Sequence, residues 1–469
     1  MKHKNYNIPT HLSQILSSEQ AYYYSIIPID AHNGTLVFKS NSVTEDLKKE
    51  LQVVFGKNIE LQPETSENID LYLSKNFRKQ ASKTTEDLHY TNDFLEKIVL
   101  SAKNIGSSDI HFEPYEHKCR VRFRLDGKLK EHFIIALSEY PVIVNKLKIK
   151  AGLDISEKRL PQDGRITVKT EQDEFDIRVS SLPTLHGEKI VLRILSKDTN
   201  HINIDDLGFT EKELKTYKEA VKNPNGIILI SGPTGSGKTT TLYATLKLLN
   251  DHKTNIVTIE DPIEYTLEGI NQVQLKENIG LDFTSALRTF LRQDPDIIMV
   301  GEIRDVKTAN MAIRAALTGH LVLSTIHTNS AWATISRLID MGIPAFLIAS
   351  TLNVSIAQRL VRKLCNDCKQ KASISKDIFP ENFNIPKSLI NHYLANGCVN
   401  CYHTGYKGRK AIYEIIPVIK TLIPYIKQND LEIDQYLEEH NITTLKQNAI
   451  QLIKSGTTSI EEVYALLID

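Results

Sequence analysis

Two periods of apolar and polar residues run along this chain, and the places where they switch divide it into segments. Over 1–75, SIIPID and GTLVFKS read as strands, VTEDLKKELQVVFG as an amphipathic helix and NIELQP as a further strand, a small α/β module. The polar stretch at 76–87 carries no apolar period and predicts a linker. A second module is expected over 88–203. Its helix, DFLEKIVLSAKNIG, ends at Gly106. The period-2 segments CRVRFRLDG, RITVKTEQDEFDIRVSSL and KIVLRILS then predict a largely antiparallel sheet with helices on one side. From 204 to 469 the pattern changes again. The uniformly apolar runs IILIS, NIVTI, IIMVG and HLVLSTIH alternate with helices at TTTLYATLKLLN, FTSALRTFLRQD and ANMAIRAAL, the last stopping at Gly319. In FTSALRTFLRQD, Phe283, Leu287, Phe290 and Leu291 share one face, with Thr284 near the start. Strands that are apolar throughout and separated by helices predict a parallel sheet covered on both faces. Beyond 343 the pattern reads mainly as helix, interrupted by a cysteine-bearing segment. The fold class is therefore α/β, a parallel-sheet domain preceded by a smaller α+β lobe and a short α/β module.

Charge and length narrow the function. The 469 residues carry 57 Lys plus Arg against 57 Asp plus Glu, a formal net charge of zero. That balance argues against a generic polyanion binder, and no direct nucleic-acid binding is expected. The N-terminal stretch has no apolar core of signal-peptide type, and no apolar run approaches the ~20 residues that span a bilayer. A cytoplasmic protein is expected. Any membrane association would run through a partner or a surface.

The chemistry concentrates where strands meet helices. Gly232, Pro233, Thr234, Gly235, Ser236, Gly237, Lys238 and Thr239 satisfy G-x4-G-K-[ST] between an apolar strand and a helix that continues through Thr240. Glycines there let backbone N–H groups turn toward phosphate oxygens, Lys238 neutralises β- and γ-phosphate charge, and the Thr239 hydroxyl can ligate Mg²⁺. A triphosphate site is expected, with ATP and Mg²⁺ as ligands. Two further strands end in acids: Glu260, Asp261 and Glu264 in EDPIE, and Glu302 after IIMVG. Glu302 is the expected general base, although Gly301 separates it from the strand; the EDPIE acids are candidates to orient Mg²⁺ and water. Each could instead be a solvated charge. His320 and His327 flank one strand at a spacing of seven, which places them on opposite faces. His327, at the C-terminal end, is the expected γ-phosphate sensor. His320 suits a structural role.

Cys365-x2-Cys368 and Cys398-x2-Cys401 form a paired set, with the stretch 369–397 between the pairs. Four thiolates suit tetrahedral Zn²⁺ in a structural site, with the intervening stretch looped out. An iron–sulfur cluster and unligated thiols are the alternatives. Cys119 alternates within a strand and reads as a packed residue.

GPTGSGKT, TIEDPIEY, LRQDPDIIMVGEIRD and GHLVLSTIHTN, in this order, closely resemble the family of type II secretion system protein E and type IV pilus assembly ATPases. SSDIHFEP, RFRLDGKL, KRLPQDGRI and DIRVSSLPTLHGEKIVLRIL extend the resemblance upstream, and the cysteines, GRKAIYEIIP and TTSIEEV extend it downstream. It covers about 88–469 strongly and 1–75 weakly. The resemblance implies a RecA-like P-loop NTPase domain over 204–469, including a zinc-binding segment at 365–401 and C-terminal helices, with a PAS-like lobe over 88–203. The segment 1–75 would be a partial docking module. It implies a homohexamer that works at the inner face of the cytoplasmic membrane. Its partners would be an inner-membrane platform protein and a cytoplasmic domain of a bitopic assembly protein. Arg178 and Arg193 of the smaller lobe match arginines expected at the phosphates, and Arg288 and Arg292 match further arginines of the ATPase lobe. The four cysteines imply an extension-type motor that drives a secretion pseudopilus or a pilus. A competence pseudopilus motor, another RecA-like translocating ATPase, and a docking subunit that binds ATP without turnover are the alternatives. Asn448-Ala449 stands where the family often has Asp-Gly.

Overall fold

A computed structural model describes residues 12, 15–16, 18–32, 34–66, 68–69, 72–73, 86–87, 93–169, 174–195, 203–430 and 432–468. Most of the linker expected at 76–87 lies outside them. The chain divides into two compact units, one comprising residues 1–88 with 132–134 and the other the remainder.

In the first unit, strands β1 (Ile26–His32) and β2 (Thr35–Ser40) pair antiparallel, and β3 (Asn58–Pro63) pairs parallel to β2. The helix Glu45–Phe55 supplies the crossover. Thr44 caps its first turn by accepting the Leu47 N–H, and Gly56 ends it in the left-handed region. Ile26, Ile27, Leu36, Phe38, Leu51 and Ile59 form the core under this sheet. The short strand β4 (Glu86–Asp87) pairs with Phe133 and Ile134.

The second unit opens with the helix Phe94–Asn104, which buries Phe94, Leu95, Ile98 and Val99. Strands β5 (Asp109–Pro114), β6 (Cys119–Leu125), β7 (Lys128–Ile135), β8 (Gln162–Lys169), β9 (Glu174–Thr184) and β10 (Gly187–Leu195) follow, in the sheet order β7-β6-β5-β10-β9-β8. Burial alternates strictly along β6, with Cys119, Val121, Phe123 and Leu125 inward and Arg120, Arg122 and Arg124 outward. Cys119 is a packed strand residue, as its alternation suggested. Behind the sheet, Lys148 is fully buried. It pairs with Glu188 Oε1 at 2.7 Å and donates to the Glu157 carbonyl at 2.6 Å. Lys148→Met leaves Glu188 buried without its counter-charge and is expected to cost about 3–5 kcal/mol. Urea unfolding of the variant checks this; a loss below about 1 kcal/mol, the range of a surface change, contradicts it.

The ATPase-type sheet contains β11 (Gly226–Ser231), β12 (Ile256–Glu260), β13 (Asn271–Gln274), β14 (Ile297–Val300), β15 (Leu321–Ile326) and β16 (Leu352–Leu364). After the hairpin β17 (Lys369–Ser373) and β18 (Asn391–Ala395), β19 (Tyr406–Pro417) completes it. Its order is β13-β12-β14-β15-β11-β16-β19, parallel except for the antiparallel β16–β19 edge. β11, β14 and β15 are buried along their whole length, as strands covered on both faces must be. One expectation needs correction. The chain beyond 343 is helical at Ala345–Thr351 and again from Ile423 onward, but β16 and β19 lie between them as two of the longest strands. Several of their polar residues are partnered by loops and helices packed against the sheet, as Gln358 is by Ser236 and Thr241, Arg362 by Glu462 and Glu414 by Ala331 and Leu445, so the apolar period that normally marks a strand is absent. No helix among the described residues is long and apolar enough to cross a membrane.

Candidate nucleotide and metal sites

The C-terminal ends of β11, β12, β14 and β15 gather the predicted chemistry at one edge of the sheet, where parallel sheets place ligands. After β11 the chain turns through 232–237 into the helix Lys238–Leu249. Gly232 (φ 148°) and Gly237 (φ 89°) are demanded by space as well as backbone. A Cβ on the first would sit 2.4 Å from the Gln358 carbonyl, and one on the second 2.8 Å from Gln358 Nε2. β16 is thus the wall behind the loop. Gln358 Nε2 donates to the Ser236 carbonyl at 2.9 Å, and its Oε1 accepts from Thr241 at 2.9 Å. Lys238 is buried and donates to the carbonyls of Gly232 and Pro233 at 2.8 and 3.2 Å. Burial lowers its pKa; Glu302 opposes that shift and Arg359 adds to it. Ser236 Oγ is buried and lacks a hydrogen-bond partner among the described residues. Such an orphan inside a glycine cradle fits a phosphate oxygen. Thr239 and Thr240 are exposed at the mouth of the loop.

Glu302 follows β14 across Gly301, and the glycine has a steric reason. A Cβ there would lie 3.3 Å from the Ile259 carbonyl and 3.4 Å from Glu260 Cα, tight against the neighbouring strand. The Glu302 carboxylate accepts from Arg304, and His327 Nε2 lies 3.3 Å from its second oxygen. Burial pushes its carboxyl up, but Arg304 and His327 pull harder, so it titrates below the usual glutamate range. Arg304 also reaches Asp261 Oδ2 at 3.5 Å. Glu302, His327 and Asp261 are therefore linked through Arg304 or directly, and the Lys238 charge is felt at Glu302; the connecting role of Arg304, just after Glu302 in sequence, shows only in the structure.

Glu260 is placed differently. It is buried, and its oxygens accept from Tyr243, Thr258 (2.6 Å) and Gln272 (3.1 Å). This ties β12 to the helix behind the loop. His320 Nδ1 lies 2.8 Å from the Ala315 carbonyl and 3.2 Å from Thr318 Oγ1, closing the end of the helix Val306–Leu317. Its expected structural role matches that position.

A second cluster lines a cleft of about 920 Å³ between the smaller lobe and the 262–266 segment. Arg165, Arg178 and Arg193 stand side by side there on β8, β9 and β10. Arg178 reaches Glu264 Oε2 at 3.4 Å and donates to the Ile263 carbonyl at 2.6 Å. Arg193 pairs with Asp109 at 2.9 Å, and Arg165 with Asp176. The phosphate loop does not line this cleft, so the structure holds Arg178, Arg193 and Glu264 together but apart from Lys238. Arg288 and Arg292 join neither cluster. Both are exposed at the end of the helix Phe283–Phe290, where Arg292 donates to the Arg288 carbonyl at 3.1 Å.

The four cysteines converge although the stretch 369–397 separates the pairs. Their sulfurs all lie within 4.8 Å of one another, with Cys365–Cys398 at 3.9 Å and Cys368–Cys401 at 3.8 Å. The β17–β18 hairpin is the looped-out insertion. The Cys398 and Gly405 N–H groups point at Cys401 Sγ from 3.1 and 3.3 Å. Burial raises the Cys401 pKa, but these donors outweigh it and draw the thiol down to about 7. A mutually close thiol set with N–H donors aimed at sulfur fits a four-thiolate metal centre. The β6–β7 turn docks beside it: Asp126 accepts the Gly408 N–H at 2.9 Å, and Lys130 donates to the Tyr402 carbonyl.

A glycine-cradled phosphate loop at the C-terminal edge of a β13-β12-β14-β15-β11-β16 parallel sheet, with a glutamate on the adjoining strand end, defines a RecA-like P-loop ATPase. Residues 84–465 match the family model for Type II/IV secretion system proteins, and the chain belongs to that family. It is 47% identical to the type IV pilus assembly ATPase PilB of Pseudomonas aeruginosa over 395 residues, which is 83% of this chain and 69% of that protein. It is 44% identical to the type II secretion system ATPase E of Vibrio cholerae over 364 residues, covering 76% and 71% of the two chains. Among solved structures, the ADP-bound pilus retraction motor PilT shares 27% identity and a TM-score of 0.54 over 80% of this chain and 96% of that one. The ATPase DotB of Legionella pneumophila shares the fold, with a TM-score of 0.61 at 19% identity over 82% of this chain and 99% of that one.

Proposed function

We propose that this chain is the motor subunit of a homohexamer that hydrolyses ATP to drive assembly of a type IV pilus or a type II secretion pseudopilus through an inner-membrane platform protein. The observation that carries the reading is Glu302 held between Arg304 and His327 beside the Lys238 loop. In this reading Glu302 takes a proton from the attacking water. Its depressed pKa keeps it ionised at neutral pH, and Asp261 helps orient that water. Lys238 and the loop N–H groups bind the β- and γ-phosphates. His327 reads the γ-phosphate on the far side of Glu302. Mg²⁺ on the Thr239 hydroxyl would supply charge neutralisation of the phosphates.

Arg178 and Arg193 couple this chemistry to movement. Both belong to the smaller lobe, so releasing Glu264 and Asp109 to meet a nucleotide would close that lobe on the ATPase domain. Arg288 and Arg292, exposed at a helix end, are available to a neighbouring subunit's nucleotide. Zn²⁺ held by Cys365, Cys368, Cys398 and Cys401 completes the fold of the 365–408 segment. The motor acts in the cytoplasm at the inner face of the membrane, docked through its N-terminal module and a cytoplasmic domain of a bitopic assembly protein.

Phosphate release by the purified hexamer, with and without the cytoplasmic domain of the platform protein, tests the reading. Stimulation by that domain is expected. Stimulation by single-stranded DNA together with indifference to the platform would sink it and favour a DNA-translocating ATPase.

A further inference from the structure

Glu414 on β19 is a buried carboxylate, 5% exposed, that the mechanism above does not use. Its oxygens accept two backbone N–H groups from opposite parts of the sequence. Ala331 donates at 2.7 Å and Leu445 at 3.2 Å. Each is the first residue of a helix, Ala331–Asp340 and Leu445–Lys454. The side chain thereby satisfies one orphan donor at the start of each helix; burial raises its carboxyl pKa against the pull of those two N–H groups. The segment before the first helix is also held from several sides. Arg359 donates to the Asn329 carbonyl at 2.7 Å, Ser355 to the Ala331 carbonyl at 2.7 Å, and Thr328 shares a hydrogen bond with Thr334 at 2.8 Å. This segment begins one residue after His327, whose Nε2 faces Glu302.

We propose that Glu414, assisted by Ser355, is a positioning residue for His327: it mounts the 328–331 segment and ties it to the C-terminal helices. The inference rests on the assignment of Glu302 and His327 made above. Glu414 bonds the first residue of both helices, so displacement of Leu445–Lys454 reaches the His327 segment through two hydrogen bonds. A side chain that mounts His327 without touching nucleotide should alter the rate of the chemical step and leave nucleotide binding alone.

The test is steady-state ATP turnover and nucleotide affinity of the full-length Glu414→Gln protein, in the wild-type and the His327→Ala backgrounds. The amide retains one acceptor and turns an NH2 toward a backbone N–H. It is expected to lower kcat about tenfold or more with KM within about twofold. In the His327→Ala background it should add little. Ser355→Ala, which removes a single hydroxyl, should show the same split more weakly, and it decides the matter if Glu414→Gln fails to fold. Equal losses in both backgrounds, a KM that rises as much as kcat falls, or unchanged kcat would each overturn the proposal. If His327→Ala slows turnover and Glu414→Gln does not, the mounting role alone is wrong. If His327→Ala turns over normally, the His327 reading fails and this inference fails with it.

Discussion

Glu302→Gln should bind ATP close to normally and hydrolyse it slower by about 10²–10⁴-fold. The substitution preserves shape and one acceptor oxygen, so the hydrogen bond from Arg304 can persist and the loop after β14 keeps its Thr325 anchors, Ile303 N to Thr325 O at 2.8 Å and Thr325 Oγ1 to Gly301 O at 2.8 Å. Basicity is lost. The wild-type carboxyl titrates below the ordinary glutamate range, so the base form is present at neutral pH and disappears only as pH falls through that depressed value. Wild-type turnover should therefore decline only on the acid side of the ordinary glutamate pKa, while the variant stays low throughout. Phosphate release and binding of a fluorescent ATP analogue separate the two effects. Turnover near wild type rejects Glu302 as the base. Affinity falling in step with turnover would show that the substitution damaged the loop.

Replacing Cys365 and Cys368 by serine should abolish metal binding and unfold the 365–408 segment. Structural zinc contributes on the order of 10–16 kcal/mol of apparent binding free energy in small zinc folds, and that energy is folding energy. The β17–β18 strands themselves bury little, β17 being mostly exposed and β18 burying chiefly His392, so the loss should be felt there first; Phe379, Phe383 and Leu389 of the stretch between them are packed in the ATPase core. The remaining pair, Cys398 and Cys401, cannot close a tetrahedral site alone. Elemental analysis should find one zinc per wild-type chain and none in the variant, with amide exchange accelerated across 365–408. Fresh wild-type protein without metal, or unchanged exchange in the variant, contradicts the assignment.

The parts of this molecule that sequence reveals are those whose determinants are local. Gly232 to Thr239 advertise a phosphate loop because neighbouring residues make the cradle. β11, β14 and β15 read as strands because both faces are apolar, and the cysteine spacing names its own chemistry. What stayed hidden depends on distant partners. β16 reads as a helix in LNVSIAQRLVRKL because its polar positions break the strand pattern. Each is answered from elsewhere: Gln358 by Ser236 and Thr241, and Arg362 by Glu462 at 2.5 Å. Glu414 looks like an ordinary strand residue until Ala331 and Leu445 arrive against it. Asn448 occupies the position of the usual family aspartate. As an amide it can donate where a carboxylate could not, and it does so to the Tyr413 carbonyl at 2.7 Å. Arg193 shows the reverse case. Resemblance suggests a phosphate contact, while in this structure Asp109, far earlier in the chain, holds it.

β16 has a mechanical consequence. The strand is 13 residues long, and it carries Gln358 against the phosphate loop and delivers Cys365 to the cysteine centre immediately after its end. The extended chain between those two positions spans about 23 Å. Pairing with β19 continues along that span as far as Leu364, whereas β11 pairs only with the part of the strand before it, up to Ala357. One strand thus joins the rear wall of the phosphate loop to the four-cysteine cluster. A load applied at the cysteine end would be carried along that strand toward the rear wall of the loop.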